Sequence, residues 1–107
     1  MSHAYNLDER RGMASRWRRR RMCLLIAGHA APAALRDVSA MGAFLETSAQ
    51  PEVGTEVELR HPEAGTIAAY VRGVGKGGVS LGFDYGERSV AFALAAIAAD
   101  MSRPAAA

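Results

Sequence analysis

Two short stretches of this sequence carry side chains whose types and spacing could do chemistry. One is the run SRWRRRR, holding Arg16, Arg18, Arg19, Arg20 and Arg21; the other is RDVSAMG, in which Asp37, Ser39 and Gly42 stand two and three residues apart. A guanidinium is a planar fork that grips phosphate oxygens, or the O6 and N7 atoms of guanine, through paired N–H donors. The Asp37 carboxylate could accept from a guanine edge or hold an arginine in place, and the Ser39 hydroxyl could donate to a phosphate or a base. In an extended backbone these two side chains project to one face. Gly42 then marks a place where the chain needs either a positive φ or the close approach of another group. Read for local structure alone, the same residues make an Asx or Ser turn between two strands, and the arginine run makes a solvated tail.

No catalytic arrangement stands beside them. His3, His29 and His61 are scattered, without a cysteine or carboxylate at metal-ligand spacing, and nothing pairs a nucleophile with a base. The chain is therefore expected not to be an enzyme and to need no cofactor or metal, with His29 and His61 as surface residues. The glycines of RGVGKGGVSLG lack the order of a phosphate loop and read as a hairpin turn at Lys76. Cys23 is the single cysteine, which excludes an internal disulfide and points to a small buried residue.

The charge is unevenly distributed. Seven of the thirteen basic residues lie between Arg10 and Arg21, whereas residues 22–107 hold six basic and nine acidic side chains, a net charge of −3. A cationic arm thus precedes a mildly acidic body; read functionally the arm is an anion site, and composition leaves a nucleotide, a nucleic acid and a lipid surface all open. At 107 residues the chain fits one domain with one modest core. It has no apolar run of about 18 residues and no secretory leader at its start, so no transmembrane segment is expected and the cytoplasm is the default location.

These residues must be positioned by short elements. MCLLIAG reads as a buried strand ended by Gly28, GHAAP as a short reversal, and PAALRDV and GAFLET as the next two strands. EVELRH alternates Val57 and Leu59 with charged neighbours, TIAAYVRGV puts Ile67, Ala69 and Val71 on one side, and VSLGFD does the same with Val79, Leu81 and Phe83. Six short strands separated by Gly and Pro turns, with no crossover helix, predict an all-β antiparallel barrel over Met22 to Asp84, since closure removes exposed edges. ERSVAFALAAIAADMS then places Val90, Leu94, Ile97 and Met101 at helical spacing. The expected helix spans about Glu87 to Met101 and lies on the barrel by that stripe, or offers the stripe to a second copy in a homodimer. Residues 1–21 form the basic arm, 22–101 the barrel and helix, and 102–107 a fraying tail.

With these residues in order, the sequence resembles the PilZ domain family. DVSAMG matches the family's Asp/Asn-x-Ser-x-x-Gly motif at Asp37, Ser39 and Gly42, and RWRRR matches its upstream Arg-x-x-x-Arg motif at Arg16 and Arg20. GAFLET, PEVGTEVEL and GGVSLGFD resemble the strands that follow, so the likeness runs over about residues 16–100. It implies a six-stranded PilZ-like antiparallel barrel with a C-terminal helix that binds cyclic di-GMP. Arg16 and Arg20, with Arg19 and Arg21 as alternatives in register, would hold phosphate and guanine, facing Asp37, Ser39 and Gly42. The arm would close over the ligand and change the surface offered to a downstream protein effector. The interval from Arg20 to Asp37 is shorter than is usual in the family, and Met41 stands where members often carry a second glycine. A degenerate PilZ domain acting through protein contacts alone is the main alternative. A nucleic-acid-binding barrel fits less well, because the body is acidic and its aromatics are sparse. An arm lying on a membrane surface through Trp17 and Met22 has poor periodicity.

Overall fold

The computed structural model of the protein describes residues 21–101. Six antiparallel strands close into a barrel: β1 (Met22–Ala27), β2 (His29–Ser39), β3 (Gly42–Glu46), β4 (Glu56–His61), β5 (Gly65–Gly75) and β6 (Gly78–Gly82), in the order β1-β2-β3-β6-β5-β4. One helix, α1 (Glu87–Met101), follows. The all-β barrel with a C-terminal helix is the fold expected from the sequence; the helix spans the expected residues, and the last strand ends at Gly82, two residues before the expected Asp84. The first reversal is tighter than expected: Ala27 pairs with His29 around Gly28 alone, whose φ of 87° is open to glycine. The residues of GHAAP beyond it therefore belong to β2, which runs for 11 residues.

Strict alternation builds the core. Val57, Leu59, Ile67, Ala69, Val71, Val79, Leu81 and Phe83 all point inward, joined by Cys23, Leu25, Ala33, Ala43 and Leu45. Apolar burial of this kind contributes roughly 25 cal/mol per Å². Cys23 is one of the most enclosed residues, and burial pushes its thiol pKa up to about 11. It is a packing residue rather than a nucleophile.

Two bulges interrupt the alternation. The pairing of β2 with β3 shifts between Leu35 and Asp37, leaving Arg36 as the extra residue; that of β5 with β6 shifts between Val71 and Gly73, leaving Arg72 extra. A bulge reverses strand parity. Without the first, Asp37 would follow Ala33 and Leu35 into the core. With it, Val38 packs against the core while Asp37 and Ser39 are exposed on the outer wall. The second bulge turns Val74 inward and leaves Arg72 exposed outside.

α1 rests on the barrel by a different face from the one expected. Its buried residues are Ser89, Phe92, Ala93, Ala96 and Ala99, whereas Leu94, Ile97 and Met101 are 63%, 40% and 77% exposed. Alanines let the helix axis approach the barrel closely, and Phe92 alone fills the barrel end, meeting Phe83 edge to face at 5.7 Å and His61 at 6.1 Å. Of the large stripe, Leu94, Ile97 and Met101 are turned away from the barrel and Val90 is half-buried. Ser89 is satisfied locally: its Oγ accepts from the Gly86 amide at 3.0 Å and donates to the Gly86 carbonyl at 3.1 Å, closing the first turn.

His61 also departs from expectation. It is 4% exposed, at the end of β4 under Phe92, rather than on the surface. Its Nδ1 accepts from the amides of Glu63 and Ala64, both at 3.0 Å, so the turn after β4 is built on an unprotonated nitrogen. Pro62 hid this, because a residue before proline at a turn ordinarily reads as surface.

A candidate ligand-binding cleft on the barrel wall

The outer wall across β2, β3, β6 and β5 follows from the register. Ser39 pairs with Gly42, Gly42 with Gly82, and Gly82 with Tyr70; the adjacent row runs Asp37, Phe44, Ser80 and Gly73. In the first row the two central positions are glycines: the Tyr70 ring lies over Gly82, and the wall opens beside Gly42. The resulting open cleft has a volume of about 180 Å³, and Asp37, Ser39, Gly42, Phe44, Arg72 and Ser80 are among the residues that line it.

Asp37, Ser39 and Gly42 therefore come together, as their spacing suggested. Asp37 and Ser39 share a face because the strand is extended beyond the bulge. Ser39 Oγ accepts from the Met41 amide at 3.0 Å, which is the turn role of this residue, and its O–H is left to donate outward. Gly42 does not need a positive φ. It needs space: a Cβ there would overlap the Leu81 carbonyl oxygen on β6 and lie 3.1 Å from Arg72 Nη1. Met41 is half exposed and is not among the lining residues.

Of the arginines considered from the sequence, Arg16, Arg19 and Arg20 lie outside the described residues. Arg21 is placed elsewhere than the cleft. Its Nη2 donates to the Ala99 carbonyl at 2.9 Å in the last turn of α1, and its Nη1 pairs with Glu63 at 3.4 Å. A cation at a helix C-terminus complements the orphan carbonyls there. Arg21 thus joins the helix, the β4–β5 turn and the start of β1, and does not line the cleft with Asp37, Ser39 and Gly42.

Arg72 is the residue that sequence reading passed over. It stands in TIAAYVRGV as the polar partner of an alternating strand, the usual position of a solvated side chain. Nothing in that pattern marks a bulge, although the glycine that follows it weakens the strand there. The structure brings its guanidinium across Gly42 on β3, opposite Asp37 in the cleft. Arg36, the other bulge residue, is occupied: its Nη1 pairs with Glu46 at 2.7 Å.

The cleft has one anionic and one cationic side chain, a hydroxyl pair from Ser39 and Ser80, and an aromatic wall at Phe44. Such a set can hold a planar polar group by its edge. Its volume is below the roughly 300–1,000 Å³ of pockets that enclose a drug-sized ligand, so a larger ligand would be held here in part. Among the described residues there is no group of three or more His, Cys, Asp or Glu that could hold a metal ion, and no helix is long and apolar enough to cross a membrane. Comparison of the chain with protein-family models, with curated proteins and with solved structures gave no match.

Proposed function

We propose that this protein is a non-enzymatic receptor for cyclic di-GMP, working as the PilZ domains that its motifs resemble, and that it signals to a partner protein by changing its surface on binding. The observation that carries this reading is the convergence of Asp37, Ser39 and Gly42 on one open cleft, with a guanidinium beside them. A carboxylate, a hydroxyl and an arginine provide acceptors and donors for a guanine edge, while the absence of a Cβ at Gly42 lets the Leu81 carbonyl and the Arg72 guanidinium approach the strand closely beside them. One base fills a cleft of this size. The phosphates and the second base must then be held by residues beyond it, which is the part assigned to Arg16, Arg19 and Arg20.

Isothermal titration of the nucleotide-free full chain tests the reading. Reversible, saturable binding of cyclic di-GMP, with the nucleotide recovered intact and affinity falling as salt is raised, is the expected outcome. Linear dinucleotide and single-stranded RNA should bind more weakly. Absence of binding at high ligand concentration would refute it.

A second reading is favoured by one observation. The outward stripe of Leu94, Ile97 and Met101, with Val90 half-buried at its start, leaves large apolar side chains on the free face of α1. Under that reading the barrel is a nucleotide-free interaction module, and a failed titration would leave it standing.

A further inference from the structure

Arg72 and Asp37 line the same cleft from β5 and β2, the first turned outward by the alternation of its strand and the second by the β2 bulge. Among the described residues no hydrogen bond or ion pair engages the Arg72 guanidinium or the Asp37 carboxylate, whereas the other bulge arginine is paired with Glu46. The guanidinium lies over Gly42, its Nη1 3.1 Å from the point a Cβ would occupy. Any larger residue at position 42 would push it away. The glycine and the arginine are therefore parts of one arrangement.

We infer that Arg72 is a ligand-binding and base-selecting residue, donating to O6 and N7 of a guanine whose N1–H and N2–H groups are accepted by Asp37. This rests on the cyclic dinucleotide reading and goes beyond it, because it moves the choice of base from the arginine run to the barrel wall. Guanine presents acceptors on one edge and donors on the next, which matches a guanidinium and a carboxylate placed across a shallow cleft. Adenine keeps the N7 acceptor but puts an N6 amino donor where guanine has O6, so one bond of the Arg72 fork is replaced by a donor–donor clash. Its unprotonated N1 would face the carboxylate, so the Asp37 contact turns from attraction to repulsion. A lysine would keep the charge at position 72 but not the paired fork. The phosphate-gripping role stays with the arm, so affinity and base choice are carried by different arginines.

The test is titration of the full chain with cyclic di-GMP and cyclic di-AMP, using the unaltered protein, Arg72→Ala, Arg72→Lys and, as a charge control on the β5–β6 turn, Lys76→Ala. Arg72 is exposed, so its variants should keep the thermal midpoint; if Arg72→Ala does not fold, Arg72→Lys carries the comparison. The expected result is a loss of roughly tenfold or more in cyclic di-GMP affinity for Arg72→Ala, with the preference for guanine over adenine narrowed by a similar factor. Arg72→Lys should regain part of the affinity but little of the preference, and Lys76→Ala should leave the preference unchanged. If the unaltered protein binds cyclic di-GMP and Arg72→Ala binds with the same affinity and preference, the assignment of Arg72 is overturned while the receptor reading stands. Equal weakening toward both nucleotides would overturn the base-reading role. If the unaltered protein binds neither nucleotide, the receptor reading fails and the assignment falls with it.

Discussion

Replacing Gly42 by alanine should damage the fold at one defined point. The added Cβ would overlap the Leu81 carbonyl oxygen, a backbone atom of the neighbouring strand, and would crowd Arg72 Nη1 at 3.1 Å. The arginine can swing aside at little cost, but the carbonyl cannot, because Leu81 sits in the β3–β6 pairing opposite Ala43 and in the β5–β6 pairing opposite Val71. Relieving the overlap requires β3 and β6 to part by on the order of 1 Å, which carries a ladder bond of about 2.9 Å beyond useful length. Overpacking of this kind costs about 1–3 kcal/mol, and a weakened ladder bond adds about 0.5–1.5 kcal/mol. The expected total is about 2–4 kcal/mol. For a domain of this size each kcal/mol lowers the thermal midpoint by roughly 4–8 °C, so thermal unfolding followed by circular dichroism should show a drop on the order of 10–30 °C. Gly73→Ala is the control, since a Cβ at Gly73 meets nothing within 4 Å and its φ is not positive; it should be neutral or slightly stabilising. Equal midpoints for Gly42→Ala and Gly73→Ala would refute the reasoning, because only the Gly42 site sets an added Cβ against a backbone carbonyl.

The burial of His61 predicts a pH dependence. Desolvation lowers its pKa from the ordinary 6.5; Glu63 opposes the shift and Arg21 adds to it. The unfolded chain therefore takes up the proton first as pH falls, and stability should decline from about pH 7 towards pH 5 at no more than about 1.4 kcal/mol per unit. His61→Asn keeps an acceptor for the Glu63 and Ala64 amides and removes the titration, so urea midpoints measured across that window should be flatter for the variant. On α1, Leu94→Lys should change the thermal midpoint by less than a few degrees, since Leu94 is exposed, whereas Ala96→Leu should cost about 1–3 kcal/mol by forcing the helix off the barrel. The opposite ranking in a thermal melt would mean that the helix packs by its large residues.

The strands were legible in the sequence because a wall with a core on one side must alternate. Val57 and Leu59, or Ile67, Ala69 and Val71, have no other reason to recur at every second position. The helix was legible in its span but not in its orientation. Its largest apolar residues form one stripe and its alanines and Phe92 another, and hydrophobicity alone favours the first. The structure uses the second: Phe92 packs its ring against Phe83 and His61, and the small alanines on the same face allow close approach of the helix to the barrel.

The motif at Asp37, Ser39 and Gly42 was visible as spacing, and the sequence by itself determined that these residues lie at a strand junction. It did not determine which way they face. In an unbroken β2 the parity set by Ala33 and Leu35 would have buried the Asp37 carboxylate, and only the extra residue at Arg36 turns it outward. Arg72 was not distinguishable from any solvated residue on an alternating strand. Alternation alone turns it outward; what places its guanidinium in the cleft is the pairing of β5 with β6 and of β6 with β3, which sets it over a glycine on a strand that neighbours β5 only through β6. Alternation is a local property and can be read from a few consecutive residues. Register is a property of strand pairs, fixed when the barrel closes, and the cleft is made of register.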